Sequence, residues 1–124
     1  MKVCSVKIRT ETDGTVSTFE TKGEIELSES PILIYRDGES KVTLRLSDPL
    51  RIIREGDYTL SLTLKRGERT QGSIGIGTNS GDFFIRTKHC RIERNHDAYL
   101  VYCVYQLDFG SSEQNMKLHL VAKF

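Results

Sequence analysis

The dominant pattern along the chain is an alternation of apolar and polar residues with a period of two. The segment "VTLRL" (42–46) places three aliphatic residues on one face and Thr43 and Arg45 on the other. The same alternation runs through "VCSVKIRT", "YTLSLTLK" and "NMKLHLVAKF". Strict alternation of this kind predicts β-strands with one buried face and one solvated face. No window of eleven residues shows a helical stripe.

Turn signals separate these segments at short and regular intervals, among them Asp13-Gly14, Asp37-Gly38, Glu55-Gly56 and Arg66-Gly67. Such pairs supply the backbone conformations that tight hairpins need. Short strands spaced by roughly 8–12 residues are typical of antiparallel sandwiches and barrels. We therefore predict an all-β fold, a single antiparallel barrel of about 8–10 strands that spans residues 1–124 as one domain, with little or no helix.

Two segments depart from simple alternation. In "DFFIRTKHCRIE", the apolar residues change parity after Thr87, which predicts a β-bulge near Lys88 and His89. In "AYLVYCVYQLDF", both strand faces are apolar, and only one of them can point into a barrel. The other face needs cover from a loop or a second subunit. If a second subunit supplies the cover, the candidate homodimer interface is formed by Tyr99, Val101, Tyr105 and Leu107.

The glycine-rich segment "GSIGIGTNSGDFFIRT" (72–87) raises the question of a phosphate-binding loop. The glycine spacing differs from G-x-G-x-x-G, and a strand follows where a dinucleotide site needs a helix. The alternation of Ile74 and Ile76 with Gly75 and Gly77 instead predicts a strand bent at a barrel corner, followed by a turn in "TNSGD".

Composition narrows the functional class further. With 18 Lys and Arg against 17 Asp and Glu, the net charge is +1, which does not favour a nucleic-acid surface. The longest apolar run is "YLVYCVY", far shorter than the roughly 18 residues of a membrane helix, and no signal-peptide pattern is present. Three cysteines without a closely spaced pair predict a cytoplasmic protein with reduced thiols.

Candidate chemistry is sparse. The chain has no H-x-H, C-x-x-C, H-E-x-x-H or G-x-S-x-G motif, so we expect no metal site, no cofactor and no catalytic residues. Arg54 in "LRIIREG" shares the parity of Leu50 and Ile52 and is expected to point inward. A buried guanidinium needs a partner, which is either an internal carboxylate or an anionic ligand at the barrel mouth. Tyr35 and Tyr102 are core residues in one interpretation and pocket residues in the other.

From Phe19 onwards, the order of several short motifs resembles that of the YwiB-like family of uncharacterised bacterial proteins. The motifs are "FETKG", "PILIY" ending at Tyr35, "RIIREG" with Arg54, "LKRGERTQG", "GDFFIRT" ending at Thr87, and "LVYCV" with Tyr102. The resemblance implies a calycin-type, lipocalin-like barrel and brings no assigned activity. Arg36 stands where the family tends to have an acidic residue, so a site that used this carboxylate would be altered here.

These observations favour a non-catalytic protein that binds a small amphipathic or anionic ligand in the barrel interior or mouth. The candidate ligand-binding residues are Tyr35, Arg54, Thr87 and Tyr102. This hypothesis rests on the capacity of barrels of eight or more strands to enclose a ligand. The alternative is a homodimeric interaction module with a filled barrel, and an enzyme is the least favoured hypothesis because no catalytic constellation is present.

Overall fold

The computed structural model describes all 124 residues and consists of ten antiparallel strands. The strands are β1 (Lys2–Thr12), β2 (Thr15–Glu26), β3 (Ile32–Asp37), β4 (Ser40–Arg45), β5 (Leu50–Glu55), β6 (Thr59–Leu64), β7 (Arg69–Ile76), β8 (Asn79–Arg94), β9 (Ala98–Asp108) and β10 (Glu113–Lys123). Each strand pairs with the next one along the chain, and β10 pairs with β1 to close the barrel. The predicted all-β antiparallel barrel is confirmed, with the strand number at the upper end of the expected range.

The barrel interior is occupied by one cluster of 22 buried side chains, to which every strand except β7 contributes. The alternating segments supply it as expected: Leu44 and Leu64 are almost fully buried, whereas Arg45 on the opposite face is exposed. Burial of apolar surface is the main force that stabilises such a sheet, since it removes one face of each strand from water.

The strands differ in length, so the pairing around the barrel is uneven. Strands β3 to β6 have 6 residues each, whereas β8 has 16. The β7–β8 ladder ends at the pair Arg69 and Arg86, and the β6–β7 turn then hydrogen-bonds to the backbone of Thr87. From Lys88 to Arg94, strand β8 is therefore paired only with β9.

The β-bulge predicted near Lys88 and His89 is confirmed. The β8–β9 register pairs Thr87 with Tyr105 and His89 with Val104, so one extra residue, Lys88, is inserted into β8. The bulge shifts the inward-facing parity of β8 and brings Cys90 onto the interior side of the sheet, opposite Cys103. A bulge re-aims neighbouring side chains, and here it also marks the point where the β7 pairing stops.

The structure corrects the prediction of a homodimer interface on β9. The four residues proposed for a homodimer interface, Tyr99, Val101, Tyr105 and Leu107, are at most 7% exposed and point into the barrel. Tyr99 and Val101 lie opposite the buried residues Ala122 and Leu120 of β10, and directly opposite residues share one face of a sheet. The outward face of β9 consists of Leu100, Tyr102, Val104, Gln106 and Asp108.

The glycines of the β7–β8 hairpin also differ from the prediction. The turn consists of Gly77 and Thr78, and Gly77 has a φ of 60°, a conformation that glycine adopts without strain. The crowded glycine is Gly72, where an added Cβ would lie 2.6 Å from two ring atoms of Phe83. Gly75, which was expected at a barrel corner, has no close neighbour apart from one backbone oxygen at 3.9 Å.

Candidate functional site

Arg54 and Tyr35 form a small polar cluster with Asp37 on the inner side of the sheet. The Arg54 Nη1 atom donates a hydrogen bond to the Asp37 Oδ2 atom over 2.8 Å, and the guanidinium carbon lies 5.7 Å from the centre of the Tyr58 ring. Burial alone would lower the pKa of Arg54, but the hydrogen bond to Asp37 and the nearby negative groups raise it. Burial also raises the pKa of the Tyr35 hydroxyl, assisted by the Asp37 charge. Arg54 thus has an internal carboxylate partner.

An opening of about 590 Å³ lies around the bulge. We call it the bulge cleft. Its floor is formed by the middle of β8, β9 and β10, and its borders are the β1–β2 hairpin at Gly14 and the β6–β7 turn at Gly67 and Glu68. The cleft opens in the wall of the barrel, whereas the barrel centre is filled by the core cluster. The cleft therefore lies beside the filled interior, whereas the sequence predicted a site in the barrel interior or mouth.

Thr87 is the one predicted ligand-binding residue that lines the bulge cleft. Its side chain is 3% exposed, and its Oγ1 atom has no hydrogen-bond partner. A buried hydroxyl without a partner costs about 1–3 kcal/mol relative to its hydrated state. The Thr87 hydroxyl is thus a buried polar group beside the cleft that the protein itself leaves unsatisfied.

The cleft is also cationic. Four basic residues line it, Arg69, Arg86, Lys88 and Lys117, against the two acids Glu11 and Glu68. None of the four basic side chains takes part in a salt bridge. The Glu68 carboxylate lies 4.0 Å from the ammonium group of Lys65, a residue that does not line the cleft, so the charge of Glu68 already has a partner outside the cleft.

Two of these cations are placed against each other. Arg69 and Arg86 are directly opposite across the β7–β8 ladder, an arrangement in which like charges destabilise a sheet. The Arg69 guanidinium stacks on the Phe84 ring, with its carbon 3.8 Å from the ring centre, which fixes its orientation without neutralising it. The pair thus presents two positive charges on one wall of the cleft with no protein carboxylate between them.

Tyr102 does not join this site or the Arg54 cluster. Its side chain lies on the outer face of β9, where its ring packs edge-on against His119 at a centroid distance of 5.8 Å. The expectation that Tyr102 lines the interior is therefore corrected, because it has the opposite parity to buried Val101 and Cys103. The four predicted ligand-binding residues occupy three separate places: the Arg54 cluster, the bulge cleft and the outer surface.

The four cleft cations were not identified from the sequence, although one signal for two of them was present. A two-residue turn at Gly77 and Thr78 places Arg69 opposite Arg86 in the hairpin register. The turn had been expected in "TNSGD", which shifts the register and separates the two arginines. The contribution of Lys117 and Lys88 depends on the bulge and on the closure of the barrel.

Comparison with known proteins places the chain in a family. The family model described as "Domain of unknown function (DUF1934)" matches residues 1–120. The chain belongs to this family. A crystal structure of the ywiB protein from Bacillus subtilis superimposes on it with a TM-score of 0.79 at 17% sequence identity, over 98% of this chain and 89% of that one. The resemblance to YwiB-like proteins is confirmed, and at this identity the superposition shows the fold alone.

No curated protein matches the chain by sequence. The structure holds no group of three or more His, Cys, Asp or Glu side chains arranged to bind a metal ion. It also contains no helix that is long and apolar enough to cross a membrane.

Proposed function

We propose that this protein is a non-catalytic binder of a small amphipathic anion, and that the ligand occupies the bulge cleft. The observation that carries the proposal is the cross-strand pair Arg69 and Arg86, which has no carboxylate partner. An anionic group between the two guanidinium groups would replace their repulsion by two charge-assisted hydrogen bonds.

The remainder of the lining supports a ligand with an apolar part. Val104 and Met116 contribute aliphatic surface to the same cleft, and the unpartnered hydroxyl of Thr87 supplies one further polar contact. Sites for small molecules combine apolar surface with a few placed polar groups within volumes of roughly 300–1,000 Å³. The volume of the cleft, about 590 Å³, falls within this range.

The first experiment is native mass spectrometry of freshly purified protein beside its denatured mass. A mass that is present in the native spectrum and lost on denaturation supports a bound small molecule and allows its identification. In parallel, the amphipathic anion 8-anilinonaphthalene-1-sulfonate is titrated into the protein and its fluorescence is followed. Saturable binding with one site per chain is expected.

The matched variants are Arg86→Gln and Lys22→Gln, which remove the same charge from the cleft and from an exposed site outside it. Loss of a charged hydrogen bond in the cleft should weaken binding of the probe by about tenfold or more. Lys22→Gln should leave the affinity within about twofold, since distant exposed charges are screened by salt. Equal weakening by both variants, or no saturable binding to the wild type, would refute the proposal.

The homodimer hypothesis now depends on the outward face of β9, where Leu100, Tyr102 and Val104 are each partly exposed. Leu100 lies directly opposite Val121 of β10, so the two strands together present a small apolar surface. The same native spectra test this second candidate. A dimer mass that Tyr102→Glu abolishes would support it, and a monomer at tens of micromolar protein would refute it.

A further inference from the structure

We propose that Cys90 and Cys103 are a peroxide-reactive dithiol that closes reversibly to a disulfide across β8 and β9. In this reaction Cys90 is the attacking thiol and Cys103 is the resolving thiol. All three cysteines of the chain are free in the structure, and only these two are in contact with each other.

The geometry of the pair carries the proposal. Cys90 and Cys103 are directly opposite in the β8–β9 register, and their Sγ atoms are 3.4 Å apart. A disulfide bond is about 2.04 Å long, so the two sulfur atoms need to approach by about 1.4 Å. The bulge at Lys88 lies two residues before Cys90, and this part of β8 has no partner on its β7 side. Strand β8 can therefore shift towards β9 without breaking a second ladder.

The two thiols differ in their access to solvent. Cys103 is completely buried in the core, whereas Cys90 is only partly buried. Cys90 lies at a groove of about 370 Å³, whose other lining residues are Arg66, His89, Arg91 and Tyr102. A small oxidant can therefore reach Cys90 from solvent, and it reaches Cys103 only through Cys90.

The hydrogen bond between the two thiols also makes Cys90 the attacking thiol and Cys103 the resolving thiol. The Cys103 thiol donates to the Cys90 sulfur atom, and this interaction lowers the pKa of Cys90, although burial and the Asp48 charge act in the opposite direction. The same hydrogen bond, together with burial, raises the pKa of Cys103. Cys90 is thus the thiol that forms a thiolate, and the thiolate is the nucleophilic form of cysteine.

The reaction balances with a hydroperoxide as the only oxidant. The Cys90 thiolate attacks one peroxide oxygen, an S–O bond forms, the O–O bond breaks, and the leaving oxygen takes a proton from solvent. The Cys103 sulfur then attacks the sulfenic sulfur of Cys90. The S–S bond forms, the S–O bond breaks, and the leaving hydroxide combines with the Cys103 proton to give water.

The chain contains its own control in Cys4. This thiol is 3% exposed, burial raises its pKa, and no other thiol is in contact with it. Trypsin separates the three cysteines, because Cys90 lies in the peptide 89–91, Cys103 in 95–117 and Cys4 in 3–7.

The test treats the wild-type protein with one equivalent of hydrogen peroxide, unfolds it in guanidinium chloride, blocks the remaining thiols with iodoacetamide, and digests without reductant. We expect an intact mass about 2 Da lower before blocking, a linked pair of peptides 89–91 and 95–117, and full alkylation of Cys4. Reduction with dithiothreitol before the iodoacetamide step should instead give peptides 89–91 and 95–117 separately, each in its alkylated form. A pair that stays reduced under conditions that oxidise glutathione, or equal oxidation of Cys4, would overturn the proposal.

Two variants separate the roles of the thiols. Cys103→Ser removes the resolving thiol but keeps a hydrogen-bond donor beside Cys90, so it should stop the reaction at the sulfenic acid of Cys90, which dimedone labels. Cys90→Ser should leave Cys103 unreactive towards peroxide while the protein remains folded, as judged by its thermal unfolding. Dimedone labelling of Cys103 in Cys90→Ser would refute the assigned order. The wild-type peptide map needs no variant, so the proposal can be tested even if one of them fails to fold.

Discussion

The close contact at Gly72 gives a prediction whose size follows from the structure. Gly72 is buried on β7 beneath the Phe83 ring, and a Cβ at this position would lie 2.6 Å from two ring atoms and 3.0 Å from the Ser61 carbonyl oxygen. The ring is held in the core, where Phe83 is 3% exposed, and its centre lies 5.1 Å from that of Phe109. Gly72→Ala therefore forces Phe83 or the β6 backbone to move.

The expected cost is that of overpacking a core, about 1–3 kcal/mol of the free energy of unfolding. For 124 residues, an unfolding entropy of about 2.1 cal/mol/K per residue converts a cost of about 2 kcal/mol into a decrease of about 8 °C in Tm. The assay is urea unfolding followed by circular dichroism, with the thermal midpoint as a second readout.

Gly81→Ala is the matched control. Gly81 lies on β8 in the same hairpin, its φ is not positive, and a Cβ there would have no heavy atom within 4 Å. This variant should be neutral or slightly stabilising, by up to about 1 kcal/mol, because alanine loses less backbone entropy than glycine on folding. If Gly72→Ala and Gly81→Ala change the free energy of unfolding by the same amount, the steric argument fails.

A double-mutant cycle tests the named partner. Phe83→Leu removes the two ring atoms that the new methyl group would meet. In that background Gly72→Ala should cost less than in the wild type, with a coupling energy of about 1 kcal/mol or more. Additive effects would assign the cost to the Ser61 carbonyl group instead.

Three further outcomes are expected. Asp37→Ala leaves the part-buried Arg54 guanidinium without its salt bridge and should lower the free energy of unfolding by about 1–2 kcal/mol in urea titrations. Thr87→Val removes a buried hydroxyl without a partner and should stabilise the unliganded protein by up to about 1 kcal/mol; a loss of stability would show that the hydroxyl has a partner. Burial raises the pKa of Tyr35 and Tyr105 above the ordinary value of 10.0. Because the unfolded chain then loses these protons at a lower pH than the folded protein, the free energy of unfolding should be unaffected below pH 10 and should fall as the pH rises further. In urea titrations from pH 8 to 11, Tyr105→Phe should change nothing in the slope below about pH 9 and should reduce the fall in stability above pH 10, by up to about 1.4 kcal/mol per pH unit; an unchanged slope above pH 10 would contradict the assignment.

The sequence by itself determined the elements of this protein. Strict alternation of apolar and polar residues specified strands, because successive side chains of a strand point to opposite faces. The apolar residues then all lie on one face, which is the face that becomes buried. The bulge near Lys88 and His89 was predictable for the same reason, because a change of parity within one apolar segment requires an inserted residue. The barrel architecture also followed, from the number and spacing of the strands.

Only the tertiary structure decided which side of β9 is inside. Both of its faces are apolar, so local alternation carries no information there. The choice follows from the pairing with β10, where Cys103 lies opposite Leu118 and Val101 opposite Leu120, because β10 has one apolar face and directly opposite residues share a face. This pairing places Tyr105 in the core and Tyr102 on the surface.

The two candidate sites depend on contacts between distant residues in the same way. Arg69 meets Arg86 only when the hairpin turn is located at Gly77 and Thr78, since moving the turn changes every pair in the ladder. Cys90 meets Cys103 only because the bulge shifts the β8 register by one residue. The strands themselves were readable locally, but which side chains they bring together depends on the register of the ladders, which turns, bulges and barrel closure set jointly.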